Sequence, residues 1–143
     1  MDLQALSDRQ EIVELLYRYA RGVDTRDWAL WRTVFTEDAE LDYSTTGGPV
    51  GGRDEVTSWL ESSIGLLPMI HHVVSNFQID LDGDRAKVRA LFHCTAQLPG
   101  LDDLLVTGGY YDEELVRTPA GWKIHRLFED NRWMQNPPPS GPA

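Results

Sequence analysis

The sequence lacks most of the features that tie a chain to a membrane, a disulfide framework or a metal cluster. Its 143 residues include a single cysteine, Cys94, which excludes an intrachain disulfide and any metal cluster built from cysteines. The longest nearly apolar stretch, residues 64–70, is far shorter than the roughly 20 residues that cross a bilayer. The N-terminal residues lack the basic-then-apolar layout of a signal peptide, so we predict a cytoplasmic protein.

Basic residues are scarce as well. The chain has 13 Lys and Arg residues against 23 Asp and Glu residues, which gives a formal net charge of −10. A surface this acidic repels phosphate backbones, and no cluster of Lys and Arg with interleaved aromatic residues offsets that repulsion. We therefore expect neither nucleic acid nor a membrane as a partner, and we predict a small-molecule substrate instead.

Composition and length favour one globular domain with a substantial core. Five Trp, five Tyr and four Phe residues supply large apolar side chains, and hydrophobic residues make up 41% of the chain. The length is that of a single domain. We place this domain at residues 1–135 and expect the proline-rich residues 136–143 to form a disordered tail.

The first half of the sequence has the patterns of helices. Ser7 and Gln10 have the spacing of a capping box, apolar residues follow at helical spacing, and Gly22 is placed to end the helix. Two further helices are predicted at residues 54–62 and at residues 27–35, the latter with Trp28, Trp31, Val34 and Phe35 facing inward. A short strand is predicted at residues 39–43, followed at residues 45–52 by a glycine-rich loop without the lysine of a phosphate-binding loop.

The second half has the patterns of antiparallel strands. Two hairpins are predicted, with strands at residues 71–81, 85–97, 104–117 and 122–129. Asp82 and Gly83 mark the first turn, and the pair Gly108 and Gly109 inside the third strand predicts a bend or bulge. Helices followed by an antiparallel sheet predict an α+β fold.

The first hairpin also predicts which side chains share a face of the sheet. With a two-residue turn, one face is almost wholly apolar and the other contains both His72 and His93. The apolar face would hold Val73, Phe77, Ile79, Leu81, Val88, Ala90, Phe92 and Cys94. If the histidine face lines a pocket, the apolar face needs another partner, so we expect a homo-oligomer, either a dimer or a trimer.

A few polar residues are candidates for chemistry. Asp24 follows the first helix at its C-terminal end, where the helix dipole disfavours a carboxylate and a histidine would compensate it. A carboxylate that orients an imidazole leaves the other ring nitrogen to act as a base. The alternatives are that Asp24 only caps the helix at Asp27 or turns the chain, and that His72 and His93 are ordinary sheet histidines. Tyr43 is either a phenol donor or a core residue.

Metal binding is a weaker alternative. Two histidines and a carboxylate are the ligands of a facial triad, but no short ligand spacing supports one, and we predict no cofactor. Arg132 and Trp133, near the end of the ordered chain, either close the mouth of a pocket or pack over the end of the barrel.

Five dispersed segments resemble a known family. They are GVDTRDW, EDAELDY, HHVVSN, GGYY and GWKI, within residues 7–133. The pattern is similar to that of the SnoaL-like branch of the nuclear transport factor 2-like superfamily, and closest in motif to scytalone dehydratase and hexachlorocyclohexane dehydrochlorinase. The resemblance implies a cone-shaped α+β barrel, in which a strongly bent mixed or antiparallel sheet wraps around N-terminal helices and encloses an apolar pocket.

The resemblance also implies an activity. Both enzyme families use an aspartate–histidine dyad to remove a proton from carbon before elimination, and Asp24 and His72 stand at the matching positions. Residues matching Tyr43 and His93 polarise a carbonyl and assist a leaving hydroxyl in the dehydratase, whereas Val23 replaces its second tyrosine. The remaining residues that we assign to substrate binding are Trp28, Asn76, Tyr110, Arg132 and Trp133.

The combined prediction is a cofactor-independent lyase of the dehydratase type. Its substrate would be a small, apolar, cyclic or polyketide-like molecule. The same proton abstraction would also serve an isomerase or a cyclase. A different class of function, a non-catalytic ligand-binding or assembly module, is the second hypothesis, because fold alone does not decide function.

Overall fold

The computed structural model describes residues 1–139, which form three α-helices and one six-stranded sheet. The helices are α1 (Leu3–Asp24), α2 (Trp28–Thr33) and α3 (Arg53–Ser62). The strands are β1 (Phe35–Asp42), β2 (Val50–Gly52), β3 (Met69–Asp82), β4 (Arg85–Gln97), β5 (Leu105–Thr118) and β6 (Gly121–Gln135). Short 3₁₀ turns at Ser44–Thr46 and Ile64–Leu66 precede β2 and β3.

Helix α1 is longer than predicted at both ends. It begins at Leu3 because the Asp2 side chain caps it, accepting a hydrogen bond from the Ala5 amide at 2.8 Å, so the predicted capping box at Ser7 is wrong. Gly22 does not end the helix either. A Cβ atom at this position would lie 2.8 Å from the Cβ of Trp31, so the glycine instead allows α2 to pack closely against α1.

The other elements follow the predictions closely, with three differences. Strand β1 begins at Phe35 rather than at residue 39, because the chain leaves α2 directly into the sheet. The predicted glycine-rich loop contains the short strand β2, which pairs with β1. Strand β6 runs six residues beyond its predicted end at Glu129, since it stays paired with β5 as far as Gln135.

The strands form a bent mixed sheet in the order β2-β1-β6-β5-β4-β3, which confirms the predicted α+β cone. Neighbouring strands are antiparallel except β1 and β6, which are parallel. The inner face packs against α1, which buries its apolar side from Ile12 to Val23. The predicted irregularity at Gly108 and Gly109 is confirmed as a bulge, with Arg132 as the extra residue on β6.

A second bulge, in β3, changes which residues face inward. The hairpin turn consists of Gly83 and Asp84, and pairing is regular from there to Gln78. Two residues, Asn76 and Phe77, then lie opposite the single residue Ala90, and Asn76 takes a left-handed backbone with a φ of 52°. Asparagine tolerates this conformation better than most residues, and the extra residue reverses the inward and outward alternation beyond it.

The predicted histidine face is therefore wrong. Beyond the bulge His72 pairs with Cys94, and Val73 pairs with His93. His72 consequently shares the inner face with Val74, whereas Val73 is 60% exposed on the outer face. Because the apolar inner face packs on α1 within the same chain, it needs no second subunit, and the homo-oligomer stays a prediction that this face no longer supports.

Two observations concern the chain as a whole. None of the helices formed by residues 1–139 combines the length and the apolar character needed to cross a membrane. The residues directly after β6 have no regular secondary structure, but Asn136 donates a side-chain hydrogen bond to the Leu104 carbonyl at 2.9 Å. The rest of the predicted tail, residues 140–143, lies outside the described residues.

Candidate active site

A cavity of about 310 Å³ lies between the inner face of the sheet and the helices. Most of its wall is apolar, with contributions from the end of α1, the segment after α3 and strands β3 to β6. The polar side chains in the wall include Tyr19, Tyr43, His72, Cys94, Tyr111 and Glu129. An apolar cavity of this size with a few convergent polar groups is typical of a small-molecule site.

Asp24 and His72 meet at the edge of this cavity. Asp24 is the last residue of α1, and its Oδ1 lies 2.6 Å from Nδ1 of His72 on β3. Its second oxygen, Oδ2, accepts a hydrogen bond from the His72 backbone amide at 2.9 Å. Because a carboxylate only accepts hydrogen bonds, Nδ1 of His72 is the donor, and Nε2 is left for the cavity.

The environment of His72 favours its protonated form. The side chain is only 8% exposed, and this burial by itself lowers the pKa. The hydrogen bond to Asp24 and the nearby Cys94 on the adjacent strand outweigh the burial and raise the pKa of His72 to about 10. At neutral pH the resting pair is therefore an imidazolium held by a carboxylate, and neutral imidazole becomes more abundant as the pH rises.

Three tyrosines form a neutral hydrogen-bonding group in the same cavity. The hydroxyls of Tyr19 and Tyr43 lie 2.6 Å apart, and the Tyr111 ring packs edge-to-face on Tyr19 at a centroid distance of 5.2 Å. Burial raises the pKa of all three phenols well above the usual range, so each keeps its proton. In the hydrogen bond between Tyr19 and Tyr43, one hydroxyl donates and the other accepts. The accepting hydroxyl keeps its own proton free to donate to a bound oxygen.

His93 lies on the opposite side of the sheet from the cavity. Its ring packs edge-to-face on Trp133 at a centroid distance of 5.5 Å, and the residue is exposed. The bulge at Asn76 explains the difference, since it turns His72 inward while His93, on the regular strand β4, keeps its outward direction. The predicted contact of His93 with a leaving group is therefore wrong.

The predicted substrate-binding residues also lie outside the cavity wall. Tyr110 and Arg132 belong to an outer cluster, in which the Arg132 guanidinium lies 5.5 Å from the Tyr110 ring centroid. Trp133 covers Gly108, where a Cβ atom would come within 2.3 Å of the indole. Asn76 shapes the bulge, and Trp28 packs beside the turn after α3. None of these five residues lines the cavity, so their predicted role in substrate binding has no support from this structure.

Sequence reasoning missed Tyr19, Tyr111 and Glu129. Tyr19 lies one helical turn before Val23, on the same buried face of α1. Its hydroxyl contacts that of Tyr43, whereas Val23 has no hydroxyl to offer. Glu129 follows Leu127 in the inward alternation of β6. A carboxylate in an otherwise apolar alternation was the available signal, because burying a charge is unfavourable unless it has a role.

Within residues 1–139, no group of three or more His, Cys, Asp or Glu side chains has the arrangement of a metal site. A larger hollow of about 980 Å³ lies on the outer face of the sheet, lined by charged residues such as Lys87, Arg89 and Glu114. We assign the chemistry to the smaller cavity, because His72, which Asp24 holds from behind, lines it and its apolar wall excludes water.

A cone-shaped sheet over helices, with a cavity inside it, defines the nuclear transport factor 2-like fold. The family model of the SnoaL-like domain matches residues 4–127, and the chain therefore belongs to the SnoaL-like family. An uncharacterized Mycobacterium tuberculosis protein, Rv2910c, is 35% identical over 130 residues, which cover 90% of this chain and 88% of that protein. Terrestric acid biosynthesis cluster protein E of Penicillium crustosum is 30% identical over 143 residues, covering 92% of this chain and 87% of its own length.

Solved structures of more distant proteins share the fold. A candidate scytalone dehydratase of Novosphingobium aromaticivorans superposes with a TM-score of 0.85 at 22% identity, covering 95% of this chain and 91% of its own. The hexachlorocyclohexane dehydrochlorinase LinA-type3 of Novosphingobium barchaimii superposes with a TM-score of 0.82 at 20% identity, covering 94% of this chain and 93% of its own. At these identities the similarity shows the fold alone.

Proposed function

We propose that the chain is a cofactor-independent lyase that removes a proton from carbon and then eliminates a neighbouring leaving group. The observation that carries the proposal is the 2.6 Å contact between Asp24 Oδ1 and Nδ1 of His72, a residue that lines an apolar cavity. A base needs an imidazole nitrogen within reach of a bound substrate and a partner that holds the ring in one orientation. Asp24 fixes His72 through two hydrogen bonds, one to the ring and one to the backbone.

In this mechanism Nε2 of neutral His72 accepts the proton, and Asp24 stabilises the imidazolium that forms. The raised pKa of His72 means that the imidazole is a strong base once it is neutral. The free hydroxyl of the Tyr19 and Tyr43 pair donates to the substrate oxygen on which negative charge develops. Exclusion of water by the apolar wall strengthens both interactions.

The size and character of the cavity favour a small, largely apolar substrate. A volume of about 310 Å³ is near the lower end of ligand sites, enough for one or two rings. Two names support a cyclic or polyketide-like molecule: one relative belongs to a terrestric acid biosynthesis cluster, and one structural neighbour is a hexachlorocyclohexane dehydrochlorinase. We therefore propose a cyclic carbonyl compound with a leaving group on the carbon beyond the acidic C–H bond.

The test is proton exchange at carbon in deuterated water, followed by NMR with a cyclic β-hydroxyketone as the probe. We expect the unmodified protein to exchange the α-proton and His72→Ala to lose this exchange. His93→Ala is the matched control, because it removes the same side chain from the outer face of the next strand. Equal exchange by the unmodified protein and His72→Ala would show that His72 is not the base.

A further inference from the structure

The cavity wall contains a carboxyl group that the Asp24 and His72 pair does not use. Glu129 on β6 is 9% exposed, and its Oε1 accepts a hydrogen bond from the Thr46 hydroxyl at 2.6 Å. Its other oxygen, Oε2, has no hydrogen-bond partner among residues 1–139. Unlike the two oxygens of Glu113, it is not fully buried. Glu129 is therefore held through one oxygen and presents the other to the cavity.

Glu129 and His72 approach the cavity from different strands of the bent sheet. They lie on β6 and β3, which are separated by β5 and β4. Three strand spacings are roughly 14 Å along the sheet, and both side chains point to its concave face. A substrate inside the cone therefore lies between the imidazole and the carboxyl group, with a different group on each side.

The protonation preference of Glu129 suits a proton donor. Burial raises its pKa, although the Thr46 hydrogen bond and the charge of His72 act in the opposite direction. The three buried phenols hold their protons more tightly, since their pKa values are raised above a higher starting value. A buried carboxylic acid therefore transfers a proton to a departing oxygen more readily than a buried phenol does.

Resting on the proposed lyase function, we propose that Glu129 is the catalytic acid of this site, which protonates a leaving hydroxyl and selects β-hydroxycarbonyl substrates. It supplies the proton that His93, on the outer face, is not placed to supply. His72 Nε2 takes the α-proton, the C–H electron pair becomes the new C=C bond, and the C–O bond breaks. The departing oxygen takes the proton of Glu129 and leaves as water, and exchange with solvent then returns His72 and Glu129 to their starting states.

A purely structural role for Glu129 predicts a different pattern of mutational effects. Thr46 binds its carboxyl group, and Thr45 donates a hydrogen bond to its backbone carbonyl at 2.6 Å, so the residue also fixes the turn before β2. If that were its role, Thr46→Val and Glu129→Gln would have similar effects, and the nature of the leaving group would not matter. An acid matters only when the leaving group needs a proton.

The experiment compares two probes that yield the same enone, a cyclic β-hydroxyketone and its β-acetoxy analogue. Acetate leaves without a proton, whereas hydroxide does not. We expect Glu129→Gln to slow elimination of the hydroxyketone about 100-fold and to change elimination of the acetoxyketone little. We also expect it to retain α-proton exchange. His72→Ala should slow both probes. Thr46→Val, which removes only the hydrogen bond that holds Glu129, should slow the hydroxyketone less than Glu129→Gln does, and the buried control Glu113→Gln should keep both activities.

Each outcome separates this proposal from the proposed function. Equal slowing of both probes by Glu129→Gln, or no slowing of either, would overturn the assignment of Glu129 as the acid while His72 remained the base. Unchanged elimination in His72→Ala, or neither exchange nor elimination by the unmodified protein, would overturn both the acid assignment and the lyase proposal. Thermal unfolding of each variant shows whether a lost activity reflects a lost fold.

Discussion

Helix α1 is bound to the sheet by one aspartate near each end, and the two ion pairs have different properties. Near its start, Asp8 is 5% exposed and receives two hydrogen bonds from Arg117, at 2.7 and 2.8 Å, and one from Trp122 at 3.2 Å. At its end, Asp24 holds His72 at 2.6 Å beside the cavity. The buried Asp8 carboxylate pairs with a partly exposed arginine, whereas Asp24 pairs with a histidine that lines the cavity.

The chemistry of the partner explains what each pair does. Arginine keeps its proton at any ordinary pH, so the Asp8–Arg117 ion pair holds α1 to the sheet without taking part in proton transfer. Its hydrogen bonds, above all those from Arg117, hold the pKa of Asp8 well below the usual range. Histidine gives up and takes protons, and His72 has its second ring nitrogen beside the cavity, so the same acid on the same helix supports chemistry instead of stability.

The largest effect that we expect distinguishes the two aspartates by activity. Above about pH 10, where the His72 ring is neutral in both proteins, Asp24→Asn should slow α-proton exchange of the β-hydroxyketone by about 100-fold or more, because the imidazole loses the group that fixes it and stabilises its charge. Asp8→Asn should leave the rate nearly unchanged in the folded protein. Comparable rate losses in both variants would show that the Asp24 effect is general loosening of α1.

The next effect distinguishes them by stability. Asp8→Asn should lower the free energy of unfolding by about 3 kcal/mol in a urea titration, since Arg117 and Trp122 lose a buried anionic partner. The depressed pKa of Asp8 also makes its contribution pH-dependent. The contribution is complete above the unfolded-state pKa of about 3.9 and is lost as the pH falls through the folded-state value. A variant whose acid stability curve matched that of the unmodified protein would contradict this account.

A smaller effect concerns Glu113, a carboxyl group that has neither kind of partner. Both of its oxygens are buried without a hydrogen bond among residues 1–139, and burial raises its pKa to about 8. Below pH 4.5, the ordinary pKa value, Glu113 is protonated in the folded and the unfolded chain. As the pH rises from there to about 8, only the unfolded chain loses this proton readily, so the protein loses stability.

Replacement of this carboxyl group should therefore matter only at high pH. Glu113→Gln should raise the free energy of unfolding by about 2 kcal/mol in alkaline solution and by much less in acid. Urea unfolding at several pH values measures the difference. The matched control is Glu114→Gln, which makes the same change at the exposed neighbouring position on β5.

The smallest effect concerns the bulge that turns His72 inward. Asn76 has a φ of 52°, which glycine adopts freely and alanine adopts at a cost of about 1 kcal/mol. Asn76→Ala should therefore destabilise the protein by about that amount, and Asn76→Gly should not, in the same urea experiment. Equal destabilisation by both would mean that the asparagine side chain, and not its backbone conformation, supports the bulge.

The bulge also marks how far the sequence predicts the site. Hydrophobic periodicity and turn residues predict the elements well, because they report local structure, and the ends of β4 match the prediction. The dipole argument and the family resemblance together bring Asp24 and His72 to one place. The inward direction of His72 and the outward direction of His93 depend on one inserted residue at Asn76, which a period-two pattern does not reveal.

Other misses share a physical cause, which is tertiary packing that overrides a local signal. Glycine is common at helix ends, which suggests that α1 ends at Gly22, yet the close approach of Trp31 explains why this residue is a glycine. Glutamate usually lies on the surface, yet the bent sheet buries Glu129 beside the cavity. In both cases the deciding contact is made by a different element.

The most direct test of the central claim is whether the base that takes the carbon proton is His72. The measurement is the pH dependence of α-proton exchange, set beside the titration of the His72 ring followed by nitrogen NMR. The account predicts that exchange rises with pH as imidazolium becomes neutral, with an apparent pKa equal to that of His72, raised to about 10. In Asp24→Asn both values should fall together toward the ordinary value of about 6.5. Exchange whose pH dependence does not follow the titration of His72 would contradict the account.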